Sequence, residues 1–242
     1  MPTDPPAGGT DRDPHVFVTD LEAPALDDDD RHHLARVLRV RDGDRITVAD
    51  GQGRWRPCRF GSALEPTGDI VTVDSPSVRL TIGFALVKGE RPELVVQKLT
   101  ELGMDRIVPF VAERSVVRWD PDRATKQVLR LRRVAREAAM QSRRCFLPEV
   151  AELSTFAALV RQPGMAIADK GGAPPGIHLR GALVGPEGGW TTDERAQAAA
   201  TGVPAIALGG HVLRAETAAF TAAALLAALR QGLVRPASGG VA

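Results

Sequence analysis

The sequence predicts an α/β protein in which a small β-rich domain precedes a larger domain built on a mostly parallel sheet. From residue 76 onward, short apolar runs alternate with helical segments, as in βα units. Near the C-terminus two such runs end in glycine-rich loops, at residues 185–190 and 209–214, and each loop leads into a helix with a polar first turn. Two neighbouring loops of this kind form a crevice at the carboxyl ends of parallel strands, where open α/β sheets bind ligands.

Composition sets limits on the class of protein. The 242 residues suffice for one large or two modest domains, and 31 basic against 30 acidic residues give a net charge of +1, which does not by itself indicate a polyanionic partner. Cys58 and Cys145 lie far apart and support neither a disulfide framework nor a metal site. Because no apolar run reaches membrane-spanning length and the N-terminus lacks signal-peptide features, we expect a cytoplasmic protein with no membrane contact and a disordered tail at residues 1–14.

Residues 15–75 are predicted to form a small barrel with one helix. Alternating apolar residues and turn signals predict its strands, and Asp27 to Asp30 offer acidic caps for the helix. The predicted strands are 15–18, 45–49, 55–60 and 69–73, and the helix is 31–40.

The helix of this first domain and its exit are rich in arginine. Any one of these side chains is better interpreted as part of a solvated face, but the cluster containing Arg36, Arg39 and Arg41 predicts contact with nucleic-acid phosphates. His32 and His33 are adjacent on a helix and so point in different directions. We therefore reject a metal site there.

The second domain, residues 76–242, is predicted from its alternating elements. A turn at 88–92 joins the first strand to the first helix, and a glycine- and proline-rich loop at 169–180 precedes the strand 182–184. The other predicted strands are 80–87, 106–112 and 165–168, and the helices are 93–102, 120–144, 154–161 and 215–229. The last helix is apolar around much of its girth, which predicts that the core or a partner subunit covers it.

The two glycine-rich loops carry the candidate chemistry. Glycine lets backbone groups approach a ligand and permits positive φ. Glu187, Arg214 and Glu216 are charged residues among small or apolar ones, where packing gives no reason for charge. Thr191 or Thr192 is predicted to cap the helix after the first loop, and Trp190 is predicted to pack at its entry.

The motifs GPEGGW and LGGHVLRAETAA closely resemble the C-terminal signature of the RsmE-type small-subunit rRNA uridine N3-methyltransferases of the SPOUT superfamily. Residues 32–54 resemble the PUA-like RNA-binding domain of that family. The resemblance implies a deep trefoil knot within about residues 165–230, a homodimer, and S-adenosylmethionine as methyl donor. It also implies that a uridine of 16S rRNA, within the small ribosomal subunit, is methylated at N3.

The resemblance also implies roles for individual residues. Arg214, Arg144 and Glu216 are the candidate catalytic residues, since a planar guanidinium suits the carbonyl oxygens of a uridine anion. For Glu216 three roles stay open: proton acceptor, cofactor ligand or helix cap. The family usually has an acidic residue where Met140 stands. The implied cofactor-binding residues are Gly185, Pro186, Glu187, Gly188, Gly189, Leu208, Gly209, Leu213, Arg214, Thr217 and Ala218. The implied RNA-binding residues are His33, Arg36, Arg39, Arg41, Gln141 and Arg143.

Three other functions are weighed against this one. A SPOUT ribose 2′-O-methyltransferase is the closest alternative, and a non-catalytic RNA-binding protein is the second. A Rossmann-type dinucleotide enzyme is disfavoured, because neither loop has the GxGxxG form with an acidic residue about twenty positions later.

Overall fold

The computed structural model describes residues 13–87 and 91–235, which form two compact units. The first unit contains the chain up to Pro76 together with Arg136–Leu147, and the second contains Ser77–Ala135 and the chain from Pro148. The sequence predicted one boundary near residue 75 and did not predict that Arg136–Leu147 belong to the first unit. Part of the predicted N-terminal tail, the turn at 88–90 and the last seven residues lie outside the described residues.

The described part of the first unit contains a five-stranded sheet, ordered β1-β2-β3-β4 with β5 also paired to β3. β1 and β2 are parallel, and the other pairs are antiparallel. The elements are β1 (His15–Phe17), α1 (Asp28–His32), a π-helical turn (His33–Val37), β2 (Arg45–Ala49), β3 (Arg54–Arg59), β4 (Glu65–Pro66) and β5 (Val71–Thr72).

The helix predicted over residues 31–40 is wrong in its bounds. α1 begins earlier, because the Asp27 side chain accepts a hydrogen bond from the Asp30 backbone N–H and caps it. After His32 the helix widens into the π-helical turn, and Arg39 then adopts a φ of 58°, which ends the helical path. Leu34 is fully buried in this turn, whereas Val37 and Leu38 are exposed.

In the second unit the described residues form a seven-stranded sheet whose pairs are all parallel, as the sequence predicted. The strand order is β12-β10-β11-β6-β7-β8, with β9 also beside β7. The strands are β6 (Thr81–Ala85), β7 (Arg106–Val111), β8 (Glu149–Val150), β9 (Ser154–Thr155), β10 (Met165–Ala173), β11 (Gly181–Val184) and β12 (Ala205–Ile206). The helices are α2 (Arg91–Glu101), α3 (Pro121–Gln141), α4 (Phe156–Leu159), α5 (Thr192–Ala200) and α6 (Ala215–Arg230).

Apolar side chains cover both faces of this sheet. Ala182 and Val184 of β11 point to the face covered by α2, α3 and α6, while Leu183 points to the face covered by α4 and α5. This alternation within an entirely buried strand explains why the strand is uniformly apolar in sequence. α6 packs on α2, β6 and β11, so these core contacts bury much of its apolar surface.

Two further sequence predictions are wrong in part. The helix predicted over 154–161 is only α4, because Ser154 and Thr155 pair with β7 and the Thr155 hydroxyl then caps the helix. The strand predicted over 165–168 continues through Ala173 into the predicted loop, because Ala173 pairs with Ile206 beyond a register irregularity. The trefoil knot and the domain boundaries stay predictions.

None of the helices within residues 13–87 and 91–235 has the length and apolar character needed to cross a bilayer. Within the same residues, no group of three or more His, Cys, Asp or Glu side chains is arranged to hold a metal ion.

Candidate active site

The first glycine-rich loop joins β11 to α5 and is held by Trp190. The indole is 2% exposed, stacks with Phe110 at 6.2 Å between ring centroids, and donates a hydrogen bond from Nε1 to the Ala168 carbonyl at 2.8 Å. A Cβ at Gly185 would lie 3.0 Å from this ring. The packing role predicted for Trp190 is confirmed, and glycine at 185 is what lets the loop lie against it.

The helix after this loop begins as predicted. Thr191 is its N-cap and forms a capping box with Glu194: the Thr191 hydroxyl accepts from the Glu194 N–H, and the Glu194 carboxylate accepts from the Thr191 N–H. Glu194 also accepts a bond from the Glu113 backbone N–H at 2.9 Å. The loop is therefore anchored at its far end by a buried carboxylate.

The second loop joins β12 to α6. Gly209 has a φ of 153°, and Val212 is 85% exposed. Arg214 is the N-cap residue of α6 but makes no side-chain cap hydrogen bond, and its side chain is exposed. An exposed cation that does not cap the helix at this position is available for a ligand.

The two loops share one cavity of about 190 Å³ at the carboxyl ends of β10, β11 and β12. Eight of the eleven predicted cofactor-binding residues line it: Gly185, Pro186, Glu187, Gly189, Leu208, Gly209, Leu213 and Ala218. The other lining residues are Ala168, Asp169, Lys170, Val184, Trp190, His211, Val212 and Ala215. Ala168 to Lys170 were not predicted as site residues; they lie within β10, beside and just beyond the last pair with β11.

Three predicted cofactor-binding residues do not line this cavity. The Gly188 carbonyl accepts a hydrogen bond from Arg114 Nη1 at 2.9 Å, so this glycine contacts Arg114. Arg214 and Thr217 are exposed at the start of α6. Their roles stay predictions.

Arg91, Glu187 and Glu216 form a charged cluster that connects the two loops. Arg91 Nη1 lies 3.3 Å from Glu187 Oε1 and 4.0 Å from Glu216 Oε2. Glu216 Oε2 is inaccessible to solvent and has no hydrogen-bond partner among the described residues. Glu216 thus keeps a buried acceptor atom next to a cation, and its three open roles stay predictions.

Comparison with known proteins identifies the family. Residues 74–227 match the family described as the RNA methyltransferase domain, and residues 26–63 match the RNA methyltransferase PUA domain. A Mycobacterium bovis protein named ribosomal RNA small subunit methyltransferase E is 34% identical over 219 residues, covering 81% of this chain and 83% of that protein. The chain belongs to the small-subunit rRNA methyltransferase E family.

One further relative and two solved structures support this assignment. The Bacillus subtilis protein of the same name is 29% identical over 226 residues, covering 81% of this chain and 87% of its own length. A Neisseria gonorrhoeae structure described as this methyltransferase bound to S-adenosyl methionine has a TM-score of 0.77 at 28% identity, covering 90% of this chain and 98% of its own. A Legionella pneumophila putative methyltransferase, described with bound SAM, has a TM-score of 0.79 at 25% identity, covering 89% and 97%. The predicted family and its α/β fold are confirmed.

The remaining predicted residues of this methyltransferase lie in the first unit. His33 and Arg36 are exposed on the π-helical turn, Arg39 and Arg41 are exposed just after it, and Gln141 is exposed at the end of α3. Arg143 has a φ of 56° and donates to the Asp13 carbonyl. Their roles in binding RNA, and that of Arg144 in catalysis, stay predictions.

His15 fixes the backbone of this returning segment. Its ring is buried, with Nδ1 2.8 Å from the Thr47 hydroxyl and Nε2 3.2 Å from the Arg144 carbonyl, to which Nε2 donates. Burial lowers the pKa of His15 from 6.5 to about 4, so the ring is neutral at pH 7.

Proposed function

We propose that this protein transfers a methyl group from S-adenosylmethionine to N3 of a uridine in small-subunit (16S) rRNA. The observation that carries the proposal is the single cavity formed by both glycine-rich loops, in a chain that belongs to the methyltransferase E family. The cavity lies where parallel α/β sheets bind nucleotides.

The residues present fit S-adenosylmethionine. Val184, Leu208 and Leu213 supply an apolar wall suited to adenine, and the positive φ of Gly189 and Gly209 brings backbone groups to the surface of the cavity. The Glu187 carboxylate adds negative charge that favours a sulfonium. When bound, S-adenosylmethionine supplies an electrophilic methyl group. Gly185, Pro186 and Ala218 complete the set of predicted residues that would hold it.

Uridine N3 carries a proton at neutral pH, so the enzyme must favour the anion that forms when this proton is lost. The exposed Arg214 guanidinium is suited to the uridine oxygens on which the negative charge develops. Arg144 is proposed for the same task. Glu216, held next to Arg91, keeps a buried carboxylate oxygen as a hydrogen-bond acceptor.

The decisive experiment uses small ribosomal subunits that lack the modification. The protein is incubated with labelled S-adenosylmethionine and these subunits, and the rRNA is digested and its nucleosides are identified by mass spectrometry. We expect 3-methyluridine at one position, and no incorporation into subunits that are already modified. A methylated ribose would instead support the 2′-O-methyltransferase alternative, and donor binding without transfer would support a non-catalytic RNA-binding protein.

We further propose that the protein works as a homodimer in the cytoplasm. Val212, which lines the cavity, and Ile177, which precedes β11, are 85% and 71% exposed, and exposed large apolar side chains of this kind mark candidate interfaces. Sedimentation at micromolar concentration tests this: a monomer throughout the concentration range would refute it.

A further inference from the structure

Asp169 is a cavity residue without a predicted role. It follows Ala168, the last residue of β10 that pairs with β11, and it lies in the irregular stretch of β10 before Ala173. A carboxylate near a glycine-rich loop is also the group that binds a ribose hydroxyl in other nucleotide sites on parallel sheets.

Arg195 of α5 holds this carboxylate in a fixed orientation. Arg195 Nε donates to Asp169 Oδ2 at 2.6 Å, and Nη2 donates to Oδ1 at 3.1 Å. The third guanidinium nitrogen, Nη1, donates to the Trp190 carbonyl at 2.6 Å. Arg195 therefore ties β10 to the first glycine loop. The Asp169 carboxylate in turn raises the pKa of Arg195.

The hydrogen bonds of Asp169 leave room for one more donor. The Lys170 backbone N–H donates to Oδ1 at 3.0 Å, so this oxygen accepts two bonds while Oδ2 accepts one. A carboxylate has about four acceptor positions. The remaining position belongs to Oδ2.

The charges around Asp169 favour a neutral donor over an ammonium group. The guanidinium of Arg195 compensates the charge of the carboxylate. An ammonium would meet a carboxylate whose charge Arg195 already compensates, whereas a hydroxyl needs only the free lone pair. Of the donor's groups, its ribose carries the hydroxyls.

We propose that Asp169 accepts a hydrogen bond from one ribose hydroxyl of the methyl donor and that Arg195 is the positioning residue for that bond. This inference rests on the proposed function. It assigns the Asp169–Arg195 pair the task of selecting a ribonucleoside donor.

The test measures binding by calorimetry and needs no RNA. Wild type, Asp169→Asn and Arg195→Gln are titrated with S-adenosylhomocysteine, with its 2′-deoxy and 3′-deoxy analogues, and with 5′-methylthioadenosine. Because a hydrogen bond to a charged group is lost, Asp169→Asn should weaken S-adenosylhomocysteine binding about 10-fold. One of the two deoxy analogues should bind wild type about as weakly as S-adenosylhomocysteine binds Asp169→Asn. The Asp169→Asn substitution should not weaken the binding of that analogue any further. Arg195→Gln should lose most of the discrimination against that analogue, and Arg195→Lys should regain part of it.

Glu152→Gln is the matched control, because Glu152 accepts from Arg132 Nη2 at 2.7 Å in an ion pair that does not line the cavity. It should bind every ligand as wild type does. The inference fails if, for both deoxy analogues, the fold loss of affinity from Asp169→Asn and the fold loss from removing the hydroxyl multiply, because the two changes would then act independently. It also fails if Asp169→Asn leaves 5′-methylthioadenosine binding unchanged, since that compound keeps the ribose and lacks the ammonium. If wild type binds neither S-adenosylmethionine nor any of these ligands, the proposed function itself fails.

Discussion

At the scale of single residues, Gly189 and Gly202 have nearly the same φ angle in different surroundings. Their φ angles are 66° and 73°, and an added Cβ at either position would meet no atom within 4 Å. The cost of alanine is therefore conformational at both positions. Only Gly189 lines the cavity.

Gly189→Ala and Gly202→Ala should each lower the free energy of unfolding by about 1 kcal/mol, because alanine is strained at positive φ. Gly189→Ala should also weaken S-adenosylmethionine binding, whereas Gly202→Ala should not. Urea unfolding and calorimetry on both variants measure the two effects. Equal donor affinity in the two variants would show that the loop backbone takes no part in binding.

Arg214→Ala should abolish methyl transfer and leave the fold intact. The side chain is exposed and makes no cap hydrogen bond, so its loss should change stability by less than about 0.5 kcal/mol. Removing a group that stabilises developing negative charge should lower kcat by about 100-fold or more. Single-turnover methylation of small subunits, together with thermal melting, checks both expectations, and wild-type turnover in the variant would exclude the catalytic role.

At the scale of elements, the end of α3 is joined to α1 by one buried ion pair. Arg136 donates to both oxygens of Asp30, at 2.7 and 2.6 Å, and also to the Phe17 carbonyl at 3.1 Å. Arg136 Nη1 also lies 3.6 Å from the sulfur of Met140, one helical turn later. Asp30 thus supplies the carboxylate for Arg136, and Met140 packs against the core of the first unit.

Arg136→Ala should destabilise the first unit by about 3 kcal/mol, because it leaves the buried carboxylate of Asp30 unpaired. Arg133→Ala removes an exposed arginine of the same helix and should change stability by less than about 0.5 kcal/mol. Urea unfolding followed by circular dichroism measures both. Similar midpoints for the two variants would contradict the assignment.

The arginines around the π-helical turn allow a test of RNA binding. Replacing Arg36, Arg39 and Arg41 together by glutamine should lower the slope of log K against log salt by about 2, since each phosphate contact contributes roughly 0.7. Replacing Arg123, Lys126 and Arg133, three exposed cations of α3, is the matched control. The two triple variants are compared by filter binding to small-subunit rRNA over a range of salt. An unchanged slope in the first variant would argue against this surface as an RNA contact.

The elements also show what a sequence can reveal about this site. The glycine loops, the Thr191 cap and β2 follow from local pattern, and all three were predicted correctly. Asp169 was not identified, because its place in the cavity depends on strand order and on a register irregularity that no local pattern encodes. The contacts of Arg91 with Glu187 and Glu216 were also not predicted, because the three residues are distant in the chain. They meet only when α2, the first glycine-rich loop and α6 have packed together.

At the scale of the whole molecule, stability should depend on pH through His15. Folding lowers the pKa of His15 from 6.5 to about 4, so the unfolded chain takes up this proton first as the pH falls. The contribution is complete above pH 6.5 and is lost progressively toward pH 4, up to about 3 kcal/mol.

His15→Gln should therefore show a shallower loss of unfolding free energy between pH 6.5 and 4 than wild type does. His178→Gln, which changes an exposed histidine, should keep the wild-type slope. Urea unfolding at half-unit pH intervals makes the comparison. Parallel curves for all three proteins would show that His15 titrates normally in the native state.

The strand order of the larger sheet has a consequence for synthesis on the ribosome. β11 fills the gap between β6 and β10, and Gly181 pairs with Thr81, about a hundred residues earlier in the chain. At 5 to 20 residues per second, translation leaves one long edge of β6 without its neighbour for roughly 5 to 20 s. A nascent chain of this protein thus emerges with a largely apolar strand open to other polypeptides, and it should depend on chaperones until its final third has been made.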